Sequence, residues 1–81
     1  MTTDTKTHAA DTTNAHHNHV KAAEHCDAAS LAHKEAAKHV EAGDAKHAGY
    51  HAAVAQGHTI QAQEHSDIAC KKTAAAAPAV K

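Results

Sequence analysis

The chain predicts an all-α protein, an antiparallel αα-hairpin of two long helices, and three observations carry that expectation. Between Asn14 and Thr73 it is rich in Ala, Lys, Glu and Gln, residues that lose little on entering a helix. One strong stop-and-start signal, "EAGDAKH", divides this stretch near its middle. On both sides of it histidine and alanine recur every seven residues, the repeat of helices packed along a seam.

The elements follow in order. Residues 1–13 are polar and Thr-rich without periodicity, and read as a disordered N-terminal arm. The first helix is expected over 14–42. Gly43 suits the left-handed residue that closes it, and Asp44 suits the N-cap of the next. The second helix is expected over 45–73, so that 14–73 forms the helical domain. Each helix would be about 43 Å long, and a tight connection sets them antiparallel. Pro78 bars any helix through "AAAAPAVK", which makes 74–81 a flexible tail. The alternative is a three-helix bundle, with "QGHT" at Gly57 as a stop and restart, and Asp27 or Ser30 as a further start.

Eighty-one residues allow one small domain, and its apolar content is mostly alanine. Phe and Trp are absent, Tyr50 is the one aromatic, and the large aliphatics of the helical region are Val20, Leu31, Val40, Val54, Ile60 and Ile68. At about 1.5–3 kcal/mol for each fully buried large side chain, these six do not offset the entropy of ordering the region. Helix propensity, close alanine packing and self-association are the expected supplements, and two hairpins dimerising would make a four-helix bundle.

A formal charge of −1 and the lack of a basic, aromatic-interleaved stripe exclude a dedicated nucleic-acid binder. No run approaches a membrane span and the opening residues lack the apolar core of a secretory signal, so the expected location is cytoplasmic. Cys26 and Cys70, without a CxxC, then read as reduced thiols. Protonation of the eleven histidines would reverse the sign of the net charge, which makes the chain responsive to mild acid.

On a helical wheel with His47 at zero, His51, His58 and His65 fall at about 40°, 20° and 0°, and Val54 at about −20°. Tyr50, Ile68, Ala55, Ala62 and Ala69 share that side; Lys46, Gln56, Gln63, Glu64, Asp67 and Lys71 lie opposite. In the first helix the expected inner series is His19, Cys26, His33 and Val40, with Ala22, Ala29 and Ala36 beside it. His25 and His39 sit at its edges, and Val20 and Leu31 project among charges as a second contact surface. Folding about Gly43–Asp44 pairs positions whose numbers sum to about 87. Ala36 then faces His51, Ala29 faces His58 and Ala22 faces His65, small against large. The intervening layers are Val40 with His47, His33 with Val54, Cys26 with Gln61, and His19 with Ile68. Cys70 would lie about 13 Å beyond the level facing Cys26, too far for a disulfide.

The segment "HHNHVKAAEH…HKEAAKHVEAGDAKHAGYHAAVAQGHTIQAQEH" resembles the small alanine- and histidine-rich helical proteins of bacteria, through its AAxH units, EAGD turn and GHxxxAxxH stretch. The resemblance covers about residues 16–73. It implies an all-α bacterial protein and carries no chemistry.

The chemistry rests on imidazole. His47 and His51 form an HxxxH pair, the spacing at which two imidazoles on one helix can share a metal ion. No glutamate follows in HExxH fashion, which removes a metalloprotease. Without a metal, His47 and His51, both partly buried, would bond across the seam through their ring nitrogens. His58 and His65 would join the site only across a partner helix. "HHNH" is a local cluster in which His16, His17 and His19 would hold Ni, Cu or Zn adventitiously. Glu24, Glu35, Glu41 and Glu64 point mostly away from the inner face, which argues against a di-iron oxidase. Cys26 on the seam reads as a small buried apolar residue rather than a nucleophile. The expectation is a non-enzymatic helical protein that binds or buffers Zn, Ni or Cu through inner histidines. The alternative is a structural or interaction module with a pH-sensitive histidine seam and no ligand.

Overall fold

The computed structural model describes residues 2–76, with side-chain surroundings from Ala10 onward. Two helices, α1 (Thr2–Glu41) and α2 (Ala45–Ala76), pack side by side as an antiparallel hairpin measuring 62 × 23 × 13 Å. None of the helices described is long and apolar enough to cross a membrane.

The break falls where Gly43 and Asp44 predict it. Gly43 adopts φ +76°, a conformation that costs most residues about 1–2 kcal/mol and glycine almost nothing. The Asp44 amide donates to the His39 carbonyl at 2.8 Å, and the Gly43 amide to the Val40 carbonyl at 3.0 Å. This crossed pair is a Schellman motif, and it satisfies carbonyls that the end of α1 would leave open. Asp44 then starts α2: its carbonyl accepts from the Ala48 amide at 3.0 Å, and its Oδ1 from the His47 amide at 3.2 Å.

Both helices are longer than expected. Residues 2–13, read from the sequence as a disordered arm, continue α1. From position 11 they extend its seven-residue repeat, because Asp11 and Ala15 are buried and Asp11 meets Lys72 of α2 at 3.3 Å. At the other end α2 runs to Ala76, three residues past the expected limit, while 77–81 lie outside the described residues. Gly57 does not interrupt α2, nor do Asp27 or Ser30 interrupt α1, so the three-helix alternative is set aside. A single glycine within a run of strong helix formers lowers propensity by about 1 kcal/mol, too little to end a helix whose seam continues on both sides.

The core is alanine. On α2 Ala48, Ala55, Ala62 and Ala69 are buried at intervals of seven, Ala55 and Ala69 with no exposed surface at all. On α1 Ala15, Ala29 and Ala32 are buried, with Ala22 and Ala36 half-buried in the same series. Between these alanines run the polar seam residues: Asp11, Asn18, His25 and His39 on α1, and His51, His58, His65 and Lys72 on α2. The predicted alanine stripe holds, while the contacts made across the seam are His25 with His58, Asn18 with His65 and Asp11 with Lys72. The stripe's companions on α1 are corrected by one position, to Asn18, His25, Ala32 and His39 in place of His19, Cys26, His33 and Val40, all four of which are exposed. The error has a simple cause. Alanine covers a broad arc of α1, so the stripe can be extended to either side on a wheel, and only the partner helix chooses.

Large apolar side chains are excluded from this seam. Leu31 (64% exposed) and Val20 project outward as expected. Val40 (68%), Tyr50 and Ile68, expected inside, are exposed too, and Val54 is half-buried. Alanine lets helices approach to the short end of the usual 8–10 Å range, which leaves no room for bulk between them.

Candidate metal centre at the hairpin turn

Two features of the turn gather donor groups. The Schellman motif places His39 three residues before its capping point, and the N-cap places His47 three residues after Asp44. The rings of His39 and His47 come to lie 5.3 Å apart, and His39 and His51 stack at 5.2 Å with an interplanar angle of 12°. One turn before His39 on α1, Glu35 faces the same end.

Two groups of three ligand atoms result, each with its members within 4.8 Å of one another: Glu35, His39 and His51, and His39, Asp44 and His47. His39 belongs to both. Its Nδ1 lies 3.4 Å from Asp44 Oδ2, and His47 Nδ1 lies 2.7 Å from that same oxygen. A carboxylate oxygen only accepts, so His47 donates from Nδ1 and its tautomer is set. Glu35 Oε2 meets Lys38 at 3.3 Å, an exposed pair that an incoming cation would have to replace.

The electrostatics favour a cation. The Asp44 carboxyl is held below its ordinary value of 3.8, first by the hydrogen bond from the His47 backbone amide and then by the one from the His47 ring. The carboxylate is therefore ionised throughout the neutral range, beside two imidazoles.

The structure divides the histidines predicted as ligands. His47 and His51 both lie at the turn but fall in different groups, each joined to His39, so the expected HxxxH pair does not form one ligand set; His47 is also more exposed than its wheel position suggested. His58 and His65 lie further along the seam, where each has a hydrogen-bond partner of its own and neither belongs to the turn groups. His16 and His17 are exposed, and His19 Nε2 pairs with Thr73 Oγ1 at 2.9 Å. Cys26, expected to be buried on the seam, is exposed and free, as is Cys70. Cys26 stands over an open groove of about 440 Å³ lined by small residues that include Ala22, Ala29 and Ala62.

Sequence reasoning missed His39, Asp44 as a ligand and Glu35, which is half-buried here rather than turned away. A signal for them existed. Glu35 and His39 form an ExxxH pair that the fold-back lays against the HxxxH pair of His47 and His51.

This is an all-α antiparallel hairpin with an alanine seam and an imidazole–carboxylate cluster at its closed end. No protein-family model, curated protein or solved structure matches the chain.

Proposed function

We propose that this protein binds a divalent transition-metal ion at the turn of its hairpin. The observation that carries the reading is the convergence on His39 of two donor triads from both helices and the turn. Imidazole with one carboxylate suits Zn²⁺, Ni²⁺ and Cu²⁺ and does not suit Ca²⁺ or Mg²⁺, which take oxygen. Because His39 is common to both triads, one ion at a time is the natural stoichiometry. Ligation through His47 Nδ1 would displace the proton it now shares with Asp44, so uptake would release protons and weaken as the pH falls.

The test is calorimetry and NMR on the untagged full chain with Zn²⁺, Ni²⁺ and Cu²⁺ at neutral pH. Saturable 1:1 binding is expected, with ring shifts at His39, His47 and His51. Substituting His39→Ala should weaken it by on the order of 10–100-fold or more, since both triads lose a member. Substituting His16→Ala together with His17→Ala should leave the strong event in place. Scattered broadening centred on His16, His17 and His19, indifferent to His39→Ala, would sink the proposal.

A further inference from the structure

The middle of the seam is built from imidazoles and an amide, and the positions of their protons can be deduced. Asn18 Nδ2 donates to the Asn14 carbonyl at 2.9 Å, so its Oδ1 is the atom that meets His65 Nδ1 at 2.8 Å. An amide oxygen only accepts, and His65 therefore carries a proton on Nδ1. His25 and His58 meet Nδ1 to Nδ1 at 2.9 Å. That contact needs one proton and one lone pair, so one ring donates and the other accepts. The His25 ring also stacks on His65, with centroids 5.7 Å apart and planes within 8°.

Three half-buried imidazoles thus form a cluster with a definite proton capacity. One added proton can sit on the outer Nε2 of the donating ring of the pair. The contact survives and becomes charge-assisted. A second puts N–H groups on both facing nitrogens and leaves no acceptor between them. A proton on His65 would set a cation against the His25 ring in the same stack.

Among the described residues, no carboxylate forms an ion pair with these three rings. From α2 the titratable groups facing His25 are His58 and His65; from α1, His25 is the one facing them. Lys21, one turn before His25, is a cation already paired with Glu24 at 3.4 Å. Cys26, Asp27, Glu64 and Asp67 are exposed, and the seam carboxylate of Asp11 is engaged by Lys72 at 3.3 Å.

We propose that His25, His58 and His65 form a proton-operated clasp that holds the midspan of the hairpin closed, tolerates one added proton, and parts when a second arrives. Histidine is the residue type whose charge changes between about pH 5 and 8. The turn keeps its form, because the bonds about Gly43 and Asp44 are local. Mild acid would then expose the alanine seam without unwinding the closed end.

Amide hydrogen exchange and ring nitrogen spectra of the full chain across this range test the clasp. Protection over residues 22–29 and 55–65 should fall as the second of the His25 and His58 rings becomes cationic. In urea unfolding, the folding constant should drop with pH more steeply than in His58→Gln, by about tenfold per pH unit, the signature of one extra proton bound on unfolding. The exposed control His33→Gln should keep the wild-type slope. Equal slopes in wild type and His58→Gln would overturn the clasp. So would full midspan protection with both rings cationic, a result that needs no variant to fold.

Discussion

Asp44 is where the most physical roles meet in one side chain. Its amide closes α1, its carboxylate caps α2, and its second oxygen holds His47 in one tautomer. Since its folded value lies below the ordinary 3.8, the sign of its linkage is settled. The stabilisation is complete above the unfolded carboxylate value and is lost as the pH falls through the lower folded one. A carbon-13 titration of the Asp44 carboxyl should therefore show a midpoint below 3.8. A midpoint at or above that value would mean that the cap is not made in solution. At this scale the sequence was readable for the cap, because Gly-Asp after a helical run has a specific mechanism. It was not readable for the ring of His39, whose neighbours come from the other side of the turn.

At the scale of the element, the glycines separate two uses of one residue. Gly43 has a positive φ, whereas Gly49 and Gly57 lie within α2 with open space where a Cβ would be. Gly43→Ala should destabilise the hairpin by about 1–2 kcal/mol through forced left-handed geometry. Gly57→Ala should stabilise it by roughly 0.5–1 kcal/mol, since a helical alanine restricts the unfolded chain and meets no clash. Urea unfolding of both variants gives the comparison, and a gain from Gly43→Ala would refute the turn. The helices themselves were legible in type and in their shared break. Their outer limits were not: Asp11 belongs to α1 because Lys72 is there to receive it, a contact invisible to a reading of residues 1–13 alone.

At the scale of the whole molecule, the hairpin inverts the usual assignment of residues, with alanine inside and Val20, Leu31, Val40, Ile60 and Ile68 outside. The spacing of the helices depends on this. Ala55→Leu, at a fully buried position, should force them apart and cost about 1–3 kcal/mol. Leu31→Ala should change stability by no more than about 0.5 kcal/mol, because that side chain is already in solvent. Urea midpoints decide it; a larger loss at Leu31 than at Ala55 would show that another surface forms the core. The polar seam residues follow the same geometry. They meet one another across it, His25 with His58, Asn18 with His65 and His39 with His51.

The sequence by itself determined the helical class, the break at Gly43–Asp44, the antiparallel hairpin and the alanine stripe. All of these follow from local propensity, capping chemistry and period, which a chain carries within a few turns of itself. Only the tertiary structure decided which side of the α1 stripe faces inward, and with it the fate of His25, His39 and Cys26. A helix with alanine over more than half of its circumference leaves the exact inward face open. The opposing row of His51, His58 and His65 chooses one, by offering hydrogen-bond and stacking partners to one set of residues and not to the other.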